Sequence, residues 1–213
     1  MNKPMNFQGT SINLCNLNCK VIALLVSVLS LTYACDRRTE VIDNSLDEIQ
    51  FEVSDTLLGS KITYDDNMFE FSVPRLLTVP ESNFKGLEDQ LNSYLKDNIK
   101  ISLLYVWTDS AKENSLSVSR IILTDDFLND PIDYYSGEIG NTDLFKNSSK
   151  AKFLKDGVLI SQFITRNNNH IIIKIIFQPK DNYLIQFDYI FNEENYKQEV
   201  RSIESSIGSI KIL

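Results

Sequence analysis

The chain holds one histidine, three cysteines and seven glycines. These set the first limits on its chemistry. His170 follows Asn167, Asn168 and Asn169 and opens an apolar run, so it reads as a turn residue rather than a general base. With no second histidine, no histidine pair exists to hold a metal. Cys15 and Cys19 are spaced C-x3-C with no second pair to complete a site, and no role follows from them. The scattered glycines build no phosphate-cradling loop. The acids of Asp125, Asp126, Asp130 and Asp133 are dense enough to weigh as a calcium loop. Their spacing is not that of an EF-hand, Pro131 interrupts them, and they read as solvated acids on a loop. Nothing in the acid spacing selects a carboxylate pair for glycoside hydrolysis. The expectation is therefore no catalytic residue, no metal site and no cofactor.

Cys35 is the residue with a chemistry of its own. An apolar run, residues 21–31, is interrupted only by Ser27 and Ser30. It is too short for a membrane span, which needs about 20 apolar residues. It fits the apolar region of a secretory signal, about 7–15 residues long. The only charges before it are Lys3 and Lys20, and no acid occurs before Asp36. The segment Leu31-Thr32-Tyr33-Ala34-Cys35 resembles a bacterial lipobox. The resemblance implies that residues 1–34 are removed and that the Cys35 sulfur carries a diacylglycerol. The alternative is a short buried element whose cysteine is merely apolar. Lipidation also accounts for a single cysteine left in an exported chain. Two or more acyl chains anchor stably where one does not. Residues 35–48 then read as a lipidated, flexible tether of low apolar content.

Removing the signal leaves 179 residues, enough for one domain over 49–213 with a sizeable core. It also leaves 19 basic residues against 29 acidic ones, a net charge of −10. Such a surface repels phosphate backbones, so no nucleic-acid partner is expected. It argues equally against electrostatic docking on anionic lipid.

The elements that must position any site follow from periodicity. Residues 49–53 and 69–73 alternate apolar and polar and read as half-buried strands, the second ended by Pro74. Residues 82–98 read as a helix with Ser82 as N-cap and an apolar face of Phe84, Leu87, Leu91, Tyr94 and Leu95. Residues 99–108 and 115–123 read as strands. Residues 125–148 read as a long surface excursion with one short helix over 142–150. Three strands then follow at 157–165, 170–178 and 183–191, with short polar turns, as an antiparallel meander. Residues 171–177 are apolar on both strand faces, which calls for cover on both sides of the sheet. Residues 192–207 read as a helix capped by Asn192, striped by Tyr196, Val200, Ile203 and Ile207, and ended by Gly208 in the left-handed region. Residues 209–213 add a short edge strand.

The fold class is therefore α+β: an antiparallel sheet of about six strands covered by helices. The order resembles the PsbP-like fold, on Phe69-Glu70-Phe71-Ser72-Val73-Pro74 at the start and the helix 196–207 followed by Gly208-Ser209-Ile210-Lys211-Ile212 at the end. That fold is shared by an extrinsic photosynthetic subunit, a Ran-binding import factor and a DcrB-like bacterial lipoprotein. The resemblance implies an α/β/α sandwich that docks to larger assemblies without catalysing a reaction.

Four aromatics are candidates for contact. Tyr105 and Trp107 share one side of a strand, where core packing is the default. Tyr134 and Tyr135 lie in the irregular excursion, where exposed aromatics mark partner binding. The functional expectation is a lipid-anchored module of the bacterial cell envelope, periplasmic face or cell surface, bound to the membrane through Cys35 and to an envelope protein through its surface. Asp36 leaves inner against outer membrane open. A carrier of a small apolar ligand, or an envelope hydrolase, is the alternative.

Overall fold

An isoleucine run decides the architecture. Between residues 171 and 177 only Lys174 is not apolar. In the computed structural model this run forms β8 (His170–Lys180), with β7 (Val158–Asn167) and β9 (Tyr183–Asn192) paired antiparallel on its two sides. The structure describes residues 46–213 except 65–67, 82–83, 94, 112, 125–129 and 181–182. The expected signal, Cys35 and the tether to residue 45 lie outside the described residues, as do Ser82, Tyr94, Asp125 and Asp126.

The main sheet has seven antiparallel strands in the order β3-β4-β5-β9-β8-β7-β6. The remaining members are β3 (Val79–Pro80), β4 (Ile99–Thr108), β5 (Ser115–Leu123) and β6 (Ser149–Lys155). The β6–β7 hairpin turns on Asp156 and Gly157, at φ 51° and 77°. Two positive φ values suit the two-residue turn that matches strand twist, and Asp-Gly is its preferred pair.

Each face of this sheet carries its own core. On one lie Ile171, Ile173, Ile175 and Phe177 of β8 with Phe187 and Tyr189 of β9. A second sheet, β1 (Leu58–Tyr64), β2 (Phe69–Pro74) and β10 (Lys211–Ile212), covers part of it in the order β1-β2-β10. Phe71 of β2 meets Phe187 edge-on, ring centroids 4.9 Å apart. Ile203 and Ile207 of the helix α3 (Glu193–Gly208) complete this core. On the opposite face Ile172, Ile176, Ile121 and Leu184 meet Ile132, Tyr135 and Ile139 of α2 (Pro131–Gly140), and Leu91 of α1 (Lys85–Ser93). The α+β class stands, with helices on both faces and ten strands in the described residues rather than about six.

A bulge reconciles β4 with two cores. Its register shifts between Leu103 and Tyr105. Ile99 and Ile101 therefore face α2, whereas Tyr105 and Trp107 face the second sheet. Trp107 is buried, and its ring stacks 5.3 Å from that of Tyr105.

Several expectations are corrected. Residues 49–53 form no strand: Glu48 makes one parallel bridge to Leu154, and Leu58–Tyr64 is the strand that pairs with β2. The long helix shrinks to α1, whose Leu87 is exposed. The helix expected at 142–150 lies instead at Pro131–Gly140, and β6 starts at Ser149. Its start has a physical cause: Asp130 caps it by accepting from the Asp133 N–H at 2.9 Å, and Pro131, which has no N–H to lose, opens its first turn. Gly208 is the last residue of α3, with no positive φ. What it supplies is space, since a Cβ there would stand 2.6 Å from Phe51 Cβ and 2.8 Å from Val53 Cγ2.

Candidate functional site

The polar side chains that sequence reading passed over gather beneath α2. Lys174 interrupts the isoleucine run on the face that α2 covers. Opposite it on β9 stands Asp188. Lys174 Nζ donates to Asp188 Oδ1, and Gln186 Nε2 donates to Asp188 Oδ2 at 2.6 Å. The Tyr135 hydroxyl comes down from α2 and donates to Gln186 Oε1 at 2.7 Å. Beside this chain, Ser136 Oγ and Ser161 Oγ are 3.0 Å apart. Lys174 Nζ also lies 5.2 Å from the Phe145 ring centroid, a favourable place for a cation.

Burial sets the electrostatics. Tyr135 is completely buried, and Lys174 and Gln186 nearly so. Desolvation, and then the charge of Asp188, hold the Tyr135 hydroxyl well above the ordinary tyrosine value. It therefore remains a proton donor throughout the neutral range. The partly buried Asp188 carboxylate is met by an ammonium and an amide. These groups are turned toward one another, and their joint effect is to fasten α2 to β8 and β9.

Tyr135 is thus not an exposed contact residue, which corrects the surface placement expected of it. Its position on α2 alternates it inward with Ile132 and Ile139. Tyr134 is half-buried, and its hydroxyl accepts from Asn98 Nδ2 at 2.8 Å. The acids expected on a loop have local work to do: Asp130 caps α2, and Asp133 pairs with Lys152 of β6. His170 opens β8 between Asn167 and Asn192. Among the described residues no three His, Cys, Asp or Glu side chains gather as metal ligands, and no helix is long and apolar enough to cross a membrane. One signal could have found the Lys174 pair. A lysine at an inward position of a doubly buried strand requires a partner, and Asp188 lies across the next hairpin.

Neither a family model nor a curated protein matches this chain. Among solved structures it is similar to the solution structure of cyanobacterial PsbP (CyanoP) from Synechocystis sp. PCC 6803. The two are 12% identical; the match covers 72% of this chain and 92% of that one, with a TM-score of 0.47.

Proposed function

We propose that the chain is a lipid-anchored module of the bacterial cell envelope that works by binding a protein partner, without catalysis. Cys35, at the end of the lipobox-like segment, is its membrane attachment. The observation that carries the binding role is the closed network beneath α2. Lys174, Asp188, Gln186 and Tyr135 are the side chains best placed for chemistry; Asp188 is partly buried, the other three are buried, and all four are spent on one another. What the described domain offers to the outside is surface. A net charge of −10 in the processed chain keeps that surface from nucleic acid.

The test is crosslinking in living cells, with membranes purified and crosslinked species identified by mass spectrometry, beside a Cys35→Ala chain. The reading expects one envelope complex recovered reproducibly, and its loss together with membrane attachment in Cys35→Ala. A Cys35→Ala chain that stays equally membrane-bound removes the anchor from the reading. Recovery of lipids or small molecules in place of protein removes the binding role.

One observation favours the carrier alternative. A groove of 490 Å³ runs between β10 and the β6–β7 hairpin, with Phe177, Ile160 and Val158 in its lining. It is open to solvent, and Lys155 at its side is occupied by Asp156 and the Ile210 carbonyl. Saturable uptake of a fluorescent fatty acid, competed by unlabelled ligand, would put the carrier first.

A further inference from the structure

β6 ends the seven-stranded sheet, and its outer edge is only partly used. At Leu154 the edge is paired: Leu154 N–H donates to the Asp47 carbonyl at 2.9 Å, and Ile49 N–H donates to the Leu154 carbonyl at 2.8 Å. Strand geometry repeats every two residues, so Lys152 and Lys150 aim their N–H and C=O groups the same way. Among the described residues no strand pairs with them. Ser149, Lys150, Ala151 and Lys152 are all exposed.

Beside this edge lies a recess of 300 Å³ between β6 and α2. Ser136 and Gly137 of α2, Phe163 of β7, and Lys150 and Lys152 line it. Lys150 Nζ stands 5.6 Å from the Phe163 ring centroid, and Gly137 has open space where a side chain would be. An added strand would therefore have backbone partners along the edge and a place for one of its alternate side chains. That is the arrangement by which edge strands recognise extended peptides.

Charge selects the peptide. Residues 146–155 hold four lysines, Lys146, Lys150, Lys152 and Lys155, and no acid, in a chain of net charge −8. Asp133 already pairs with Lys152, Asp143 with Lys146, and Asp156 with the buried Lys155, so Lys150 is the lysine of this stretch without a carboxylate partner among the described residues. A second copy of β6 would set lysine against lysine, which disfavours self-pairing. The segment that occupies Leu154 is itself extended and acidic, Asp47-Glu48-Ile49.

We propose that the edge of β6 at Lys150 and Lys152, which no described strand pairs, is the docking site for an extended acidic segment of a partner protein, which adds as a further strand with a side chain in the α2 recess. This rests on the binding-module reading and names the surface and the kind of partner. The chain purified from membranes is titrated with a synthetic peptide of alternating Glu and Val, and amide hydrogen exchange is followed residue by residue. The acidic peptide is expected to bind saturably and to slow exchange at Lys150 and Lys152 by about tenfold or more. Amides of β5 and β9 are expected to stay as they were. A Lys150→Glu, Lys152→Glu chain is expected to lose this peptide and to accept one of alternating Lys and Val. A peptide methylated on its backbone nitrogens keeps the charges and cannot pair, so equal binding by it overturns the proposal without any protein variant. Absence of saturable binding overturns it too. If crosslinking recovers a partner while the peptide does not bind, the edge proposal falls and the binding-module reading stands. If the peptide pairs at β6 while a Cys35→Ala chain stays equally membrane-bound, the edge is upheld and the lipid anchor of that reading falls.

Discussion

Asn92 holds Ile101 twice. Its Nδ2 donates to the Ile101 carbonyl and its Oδ1 accepts from the Ile101 N–H, both at 2.8 Å. One turn earlier on α1, Glu88 Oε2 accepts from the Leu103 N–H, also at 2.8 Å. Two side chains spaced i, i+4 thus stand where a neighbouring strand would be, along the part of β4 that β3 does not reach. The second sheet is finished in the same way. Ser206 Oγ donates to the Ser72 carbonyl at 2.6 Å, and Ser209 Oγ accepts from the Ser72 N–H at 2.8 Å. Side chains on α1 and at the end of α3 close these edges against unwanted pairing. Among the described residues no side chain closes the edge of β6 beside Lys150 and Lys152 in this way.

Replacing Asn92 by Ala leaves the Ile101 N–H and C=O to solvent. The expected loss is about 1–2 kcal/mol, because the site is partly buried and water replaces the amide imperfectly. Chemical denaturation gives the loss, and exchange at Ile101 and Leu103 shows where it arises. Unchanged exchange at Ile101 would count against the role given to Asn92.

Two helical glycines should respond in opposite directions. Gly208→Ala puts a Cβ against Phe51 and Val53, and overpacking of this kind costs about 1–3 kcal/mol. Gly137→Ala meets nothing within 4 Å and lies in an exposed helix interior, so it should gain about 0.5–1 kcal/mol. Urea midpoints of the two variants against the parent decide both.

What the sequence makes legible here is what is local and heavily buried. The double-faced run of β8, the turn at Asn168 and Asn169 before it, and the Asn192 cap with Ile203 and Ile207 on α3 are all signals within a few residues, and these form. Edge strands bury little, so they pattern weakly. Leu58 is the only buried residue of β1, and four consecutive residues of β6 are exposed. The start of α2 was written in Asp130-Pro131, but the surrounding acids and glycines read as loop. Lys174 and Asp188 meet only because the β8–β9 hairpin shifts register between Phe177 and Lys180. The Phe51 approach that Gly208 admits spans most of the chain. No periodicity reports such contacts. Tyr135 shows the same limit, since only the helix phase tells it from Tyr134.

The Lys174–Asp188 pair should be costly to halve and cheaper to remove whole. Lys174→Met leaves the partly buried Asp188 carboxylate with Gln186 as its remaining partner, and the loss should approach the roughly 3–5 kcal/mol that halving a fully buried pair costs. Lys174→Met with Asp188→Leu removes both charges, and the sum of the single losses should exceed the double loss by about 1–3 kcal/mol. Additive losses in a double-mutant cycle would show that the two act independently.

Stability should fall in alkali through the buried tyrosines. Burial raises the hydroxyls of both Tyr135 and Tyr189 above the ordinary value of 10.0. Above that value the unfolded chain gives up these protons while the folded chain keeps them. The folded state then binds more protons, and unfolding free energy declines as pH rises. The contribution is complete below pH 10 and is lost progressively above it. Tyr135→Phe should flatten part of that decline. It should also forfeit about 1 kcal/mol at neutral pH, because Gln186 Oε1 loses the donor 2.7 Å away. Urea unfolding of parent and variant between pH 8 and pH 11 separates the two effects. A parallel decline in both chains would exclude Tyr135 as a source of the alkaline sensitivity.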